Sequence, residues 1–310
     1  MFARILVPLD GSPLAEAILP QVVELAQQHG AEVILLRVAL AHTFPGVDAT
    51  AAQVAAVEQA AAYLEAVQGR LGAGLATRTV VRYGHAAQEI LDHVRAAGAD
   101  CVAMCTHGRT GLRRWMLGSV AETVARGAEV PVLLLRPPAP SGAEAEAPGA
   151  ARSAAPGPAA GPVPVPLRRI LCPVDLSPES LAAIPYAAEL AARFGSELTV
   201  LHAVYDPLEG GAGAHAHPSL GRLRAEMLRE AEARLREHLA DALPGGAARL
   251  EVVLGRPVPQ ILRHVRAHGT DLLVLGTKRR SGLEHLILGD TAEQLVRAAP
   301  CPVLTRGAAA

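Results

Sequence analysis

Aromatic side chains are scarce in this chain: 3% of its 310 residues are Phe, Trp or Tyr. With so few rings, a core has to come from the Ala, Val, Leu and Ile that dominate the 50% hydrophobic content. Such a composition suits parallel strands covered by helices on both faces. An excess of charge of either sign is also missing, since 29 Lys and Arg stand against 30 Asp and Glu, and arginines fall in short scattered pairs such as Arg113-Arg114 and Arg279-Arg280. That leaves no basic field for nucleic acid. No segment reaches membrane-spanning length without a charge. The opening Met1-Phe2-Ala3-Arg4-Ile5-Leu6-Val7-Pro8 lacks a cleavable apolar region, because Pro8 and Asp10 interrupt it at once. A soluble, cytoplasmic protein with neither membrane nor nucleic-acid partner is expected. The four cysteines, Cys101, Cys105, Cys172 and Cys301, contain no C-x-x-C pair. Cys101 and Cys105 have a spacing that could serve a metal or redox pair, yet no Cys or His cluster completes the set, so buried free thiols are expected.

What the chain does contain is a repeat. Arg4-Ile-Leu-Val-Pro-Leu-Asp-Gly-Ser12 returns as Arg169-Ile-Leu-Cys-Pro-Val-Asp-Leu-Ser177, an offset of 165. Thr106-His-Gly-Arg-Thr-Gly-Leu112 returns as Thr277-Lys-Arg-Arg-Ser-Gly-Leu283, and Pro131-Val-Leu133 as Pro302-Val-Leu304, both at an offset of 171. Several segments recurring in the same order indicate a duplication, with a net gain of six residues in the second copy. Between the copies, Pro137 to Pro166 is dominated by Ala, Pro and Gly and cannot bury enough apolar surface to offset the entropy of ordering. The expected organisation is a first domain over residues 1–137, a linker over 138–166 and a second domain over 167–306.

Within the first copy, apolar strands alternate with helical stretches. Strands are expected at Ile5–Leu9, Val33–Val38, Thr77–Val81, Cys101–Cys105 and Val132–Leu135. Helices are expected from Ser12-Pro13 to Gly30, from Thr50 to Gly69, over Ala86–Ala97 with Gly98 at its end, and over Ser119–Arg126. The second copy repeats the pattern from Ile170 to Thr305. Such alternation gives an α/β fold: two tandem open parallel sheets of Rossmann-like type, five strands each, with helices on both faces.

Ligands of open parallel sheets bind beyond the carboxyl ends of the strands, and two loops of the first copy lie there. One is Pro8-Leu9-Asp10-Gly11-Ser12, where an acid leaves a buried strand. The other runs from Cys105 through Gly108 and Gly111 to Gly118-Ser119, just before a helix. Gly108 and Gly118 are expected to take positive φ or to let a ligand approach the backbone, and Ser119 opens a helix whose N–H groups favour an anion. The loop reads as a phosphate cradle, although glycines that merely make tight turns are the plainer alternative. It is neither a Walker loop nor the dinucleotide G-x-G-x-x-G.

These residues resemble the universal stress protein family over nearly all of both copies except the linker. The family's V-P-x-D-G-S is matched by Val7-Pro8-Leu9-Asp10-Gly11-Ser12. Its ATP-binding members carry G-x2-G-x9-G followed by Ser or Thr, and the corresponding positions are Cys105, Gly108, Gly118 and Ser119. Cys105 replaces the first glycine, where its Cβ would crowd the ribose. The resemblance implies a fold like that of the adenine nucleotide alpha hydrolases and ATP, with or without Mg, in the first copy alone. It places Asp10 at the base or ribose, Val38 against the adenine through its backbone, and Pro8, Leu9, Met104 and Val120 along the site. Arg109, in the glycine loop, could touch phosphate or be an ordinary surface arginine.

The second copy departs further: Gly276 fits, but Arg279 replaces the second glycine and Asp290 the hydroxyl residue after Gly289. A carboxylate there repels a phosphate, so Asp290 is expected to be a helix N-cap and this copy not to bind ATP in the same way. His202, His215, His217 and Asp206 could form a metal site, against the plainer reading of solvated loop histidines. Dedicated catalysis is not expected, since Asp10 is the lone acid at the first site and no P-loop lysine is present; slow ATP hydrolysis and a ligand-free scaffold remain the alternatives. The resemblance also suggests pairing through the last strands, Val132–Leu135 and Val303–Thr305, within one chain or between two.

Overall fold

Proline decides where the first helix of each copy breaks. The single helix expected between Ser12 and Gly30 is two: β1 (Arg4–Pro8) leads into α1 (Pro13–Glu16), and the chain then restarts as α2 (Leu19–His29). Pro20 has no N–H to donate to the Glu16 carbonyl, so the ladder of α1 cannot continue through it. Pro185 does the same in the second copy. In the computed structural model, residues 2–40, 49–72, 74–106, 117–137, 161–206, 218–243, 248–279, 286–287 and 289–307 are described.

After α2, the first copy continues as β2 (Glu32–Ala39), α3 (Ala49–Leu71), β3 (Thr77–Tyr83), α4 (Ala86–Ala97), β4 (Cys101–Cys105), α5 (Ser119–Gly127) and β5 (Val132–Leu135). The second copy begins with β6 (Arg169–Val174), α6 (Pro178–Leu181), α7 (Ala183–Phe194), β7 (Glu197–Val204), α8 (Pro218–Ala242) and β8 (Arg249–Leu254). It ends with α9 (Pro257–His268), β9 (Leu272–Arg279), the two-residue β10 (Leu286–Ile287), α10 (Asp290–Ala298) and β11 (Val303–Gly307). The helix stop expected at Gly30 is real: it closes α2 at φ 63°, as Gly195 closes α7 at φ 64°.

The strands run β3-β2-β1-β4-β5-β11-β9-β6-β7-β8, with β10 antiparallel to β9. Within each copy the main ladder is parallel. The copies meet antiparallel, with Val303, Leu304 and Thr305 opposite Leu134, Leu133 and Val132. Pairing through the last strands is therefore met inside one chain, and β5 and β11 each gain a neighbour on both sides.

The sheet separates two cores, each running through both copies. On one face Ile5, Leu35, Leu64 and Leu133 join Ile170, Leu190, Leu235 and Leu304; on the other, Leu6, Ile90, Val124 and Leu134 join Leu171, Ile261, Leu295 and Val303. Several of the chain's few aromatic rings gather where the copies meet. Phe2 lies 4.9 Å from His29 and 6.4 Å from Tyr186, and His29 lies 5.6 Å from Phe194. Across the other face, Arg126 reaches Glu293 at 3.4 Å.

All four cysteines are buried and unpaired, as expected. Burial pushes their thiols up, to about 12 at Cys105, Cys172 and Cys301, so none carries the thiolate that metal or redox chemistry needs. Among the described residues no helix is long and apolar enough to cross a membrane.

Candidate functional site

From β1 the chain crosses to β2 on one side, and from β4 it crosses to β5 on the other, so a crevice opens between the carboxyl ends of β1 and β4. It holds a cleft of about 310 Å³. Pro8, Leu9 and Asp10 enter it from the end of β1, Val38 from β2, Met104 and Cys105 from β4, and Gly118, Ser119 and Val120 from the start of α5. Every sequence-predicted site residue that is described thus lines one cleft. Gly108 and Arg109, with His107, lie outside the described residues. Sequence reasoning missed Leu36, Ala86, Ile90, Thr106 and Ala121, which line it as well. Three of these carry a usable signal: Leu36 shares the strand face of Val38, and Ala86 and Ile90 are one helical turn apart on α4.

Asp10 is tied into its own turn. Its Oδ1 accepts from the Ser12 amide at 2.9 Å and the Ser12 hydroxyl at 2.6 Å, while Ser12 Oγ accepts from the Ala15 amide at 3.1 Å and caps α1. The second copy repeats the arrangement, Asp175 accepting from the Ser177 amide and hydroxyl and Ser177 capping α6. Burial raises the Asp175 carboxyl, but the hydrogen bonds from Ser177 and Ser180 outweigh it and hold the group below its ordinary value. A strand-end Asp present in both copies therefore has a structural task in each.

The start of α5 corrects one expectation. Gly118 has φ −63° and ψ 142°, a conformation open to any residue, so the positive-φ argument fails there. Gly118 lines the cleft and carries no Cβ there. The Gly118 amide donates to the Thr106 carbonyl at 2.8 Å, and among the described residues no side chain caps the following turn. Uncapped first-turn amides with the helix dipole behind them form a seat for an anion.

Cys105 is turned toward α1, its Sγ 3.6 Å from the Ala15 carbonyl oxygen. Burial, with the nearby Asp10 charge adding to it, keeps this thiol protonated.

The second copy holds a cleft of about 360 Å³ in the same place, between β6 and β9. Asp290 lies on its rim, but not as the expected N-cap. Gly289 already has the extended cap conformation, φ −57° and ψ 158°, and its carbonyl accepts from the Glu293 amide, so Asp290 is the first helical residue of α10. The side chain of Arg279 is outside the described residues. The suggested metal site does not assemble from its described members. His202 Nδ1 lies 2.8 Å from the Val174 carbonyl, and Asp206 pairs with Arg224 at 2.8 Å. His215 and His217 lie outside the described residues. Among the described residues no group of three or more His, Cys, Asp or Glu is placed to hold a metal ion.

A family model described as the universal stress protein family matches residues 1–136 and again 166–305. Among individual proteins, a universal stress protein of Methanocaldococcus jannaschii is 29% identical over 138 residues, 44% of this chain and 80% of that protein. One of Thermus aquaticus is 31% identical over 138 residues, 44% of this chain and 96% of that protein. Among solved structures, a universal stress protein of Archaeoglobus fulgidus superposes with a TM-score of 0.69 at 20% identity, covering 99% of this chain and 98% of its own. At that identity the likeness establishes the fold, in tandem form.

Proposed function

The chain belongs to the universal stress protein family, and on that premise we propose that its first copy binds an adenine nucleotide, ATP with or without Mg²⁺, as a sensor whose occupancy regulates a stress response. One observation carries the reading: Asp10, Val38, Met104, Gly118 and Ser119, far apart in sequence, meet in one cleft that ends on an uncapped helix start. Its chemistry suits the two ends of a nucleotide. Leu36, Ile90 and Met104 give the base an apolar wall, and the first-turn amides of α5 with the Ser119 hydroxyl give phosphate its donors.

Binding rather than turnover is the proposed role. Among the described lining residues Asp10 is the sole carboxylate, and one of its oxygens is engaged by Ser12. A Mg²⁺ ion arriving with ATP would be held chiefly by the phosphates, and among the described lining residues no second acid stands ready to position a water. Four unpaired buried thiols agree with a cytoplasmic setting.

Replacing Gly118 by Asp tests the site. Aspartate is a favoured N-cap at this backbone conformation, so the variant should fold at least as well as the parent. Its charge would sit where phosphate is proposed to bind. For the parent, ATP at a hundredfold excess over its dissociation constant should add about 2.7 kcal/mol of stability, read as a rise in Tm. The variant should show no such rise. An equal rise in both proteins, or none in the parent, would remove the first copy's nucleotide site.

A further inference from the structure

The second cleft has kept its walls and changed its mouth. Leu201, Ile261 and Ala292 stand where the first copy has Leu36, Ile90 and Ala121, and Leu275 and Ala203 replace Met104 and Val38 with other aliphatic side chains. Leu201, Ile261, Leu275 and Ala292 are all buried, and the cleft is no smaller than the first, about 360 against about 310 Å³. Beyond the Val174–His202 register pair, β7 runs on through Ala203 and Val204 past the end of β6. Its edge there is not covered by that strand, which leaves backbone groups to meet the polar edge of a flat ring.

The described rim of the mouth differs from that of the first cleft. Asp290 takes the place of Ser119 at the helix start, and Asp175 and Glu179 join it on the rim. No Lys or Arg is among the described lining residues, while the first cleft has one carboxylate. At Asp175, hydrogen bonds from Ser177 and Ser180 outweigh burial and hold the carboxyl below its ordinary value. Carboxylates repel a polyphosphate and accept hydrogen bonds from hydroxyls and amines.

We infer that the second cleft is a separate binding site for an uncharged nucleoside: a planar heterocycle against Leu201, Ile261 and Leu275, with sugar hydroxyls donating to Asp290, and with phosphorylated forms refused. The ring class is borrowed from the reading of the first copy as a nucleotide site; the charge selection comes from the second copy's own residues. One chain would then hold two sites of opposite preference for phosphorylation on a shared sheet.

Two isoleucines make the test site-specific in the full chain, because Ile90 lines the first cleft and Ile261 the second. With ¹³C-labelled isoleucine methyls, assigned through Ile90→Val and Ile261→Val, adenosine should shift the Ile261 signal and ATP should leave it in place. Asp290→Ser, which restores the first copy's residue, should make Ile261 respond to ATP. An Ile261 signal unmoved by millimolar adenosine, or moved by ATP as readily as by adenosine in the parent, would overturn the inference. Ile90 reports separately: if ATP leaves it unmoved, the first copy's reading fails whatever Ile261 does.

Discussion

The Cys105 thiol lies 3.6 Å from the Ala15 carbonyl oxygen in α1. At the matching place in the second copy, an added Cβ on Gly276 would lie 2.0 Å from the Glu179 carbonyl oxygen in α6. The short helix after the first strand thus rests on a side chain in one copy and on bare strand backbone in the other. Gly276→Cys must push backbone aside and should cost about 1–3 kcal/mol or more in urea unfolding. Cys105→Gly should lose a similar amount for the opposite reason, a buried side chain removed and a flexible residue placed in a strand. Because the thiol faces α1, Cys105→Gly should leave ATP affinity nearly unchanged. A gain of about tenfold would show that the thiol crowds the ligand instead.

Gly11 and Leu176 occupy the same turn and the same left-handed region, at φ 85° and φ 63°. Leucine there carries a conformational cost of about 1–2 kcal/mol, set against its packing on the core. Leu176→Ala keeps that cost and loses the packing, while Leu176→Gly loses both. The glycine variant should therefore be the more stable of the two, by about 1 kcal/mol, the reverse of their usual order in folded segments. Alanine equal to or better than glycine in a thermal melt would show that the turn relaxes out of this conformation.

His29, His93 and His264 all have pKa values lowered chiefly by burial. At His264 the Glu251 carboxylate, 3.3 Å away, opposes the shift without cancelling it. A histidine kept neutral by the fold is protonated first in the unfolded chain. Its contribution is complete above the unfolded value near 6.5 and is lost as pH falls through the lowered folded value. Stability should accordingly decline below about pH 6.5, with each such proton adding up to about 1.4 kcal/mol per pH unit over the interval between the two values. Urea titrations of the parent and of His93→Gln measure it, and the variant should show the shallower decline. A flat profile between pH 7 and pH 5 would contradict the burial argument.

The fold was legible because the duplication shows each strand twice and a sheet buried on both faces leaves continuous apolar runs such as Ile5 to Val7 and Ile170 to Cys172. The break at Pro20 was legible in principle but lost to the stronger periodicity of Leu14, Ile18, Val22 and Leu25. At the site, residues within a motif or at a strand end could be named, Leu36 and Ile90 were legible only through the strand face or helical turn they share with another lining residue, and Ala121 was not legible at all. Apolar wall residues look like core until the cleft beside them is seen. The positive φ assigned to Gly118 went wrong because glycine has two uses, and sequence does not separate backbone freedom from an absent Cβ. Asp290 was misplaced by one residue for a related reason, since Gly289 serves as an N-cap with no side chain to announce it.

The seam between the copies supplies the last prediction. Leu133 and Leu304 face each other across β5 and β11, 2% and 1% exposed, and belong to a core that both copies share. The charged contact nearby, Arg126 with Glu293, has side chains 35% and 23% exposed, so water screens it. Apolar burial should therefore dominate the seam. Leu304→Ala should cost about 2–5 kcal/mol and Arg126→Ala less than about 1 kcal/mol. Since the core is continuous, Leu304→Ala should lower the melting of both copies together in one transition. Because β5 and β11 already cover each other, the parent should elute at the mass of one chain in light scattering. Two separate transitions in the parent would mean that the copies fold as independent units, and a stable dimer would mean that pairing uses a surface other than these strand edges.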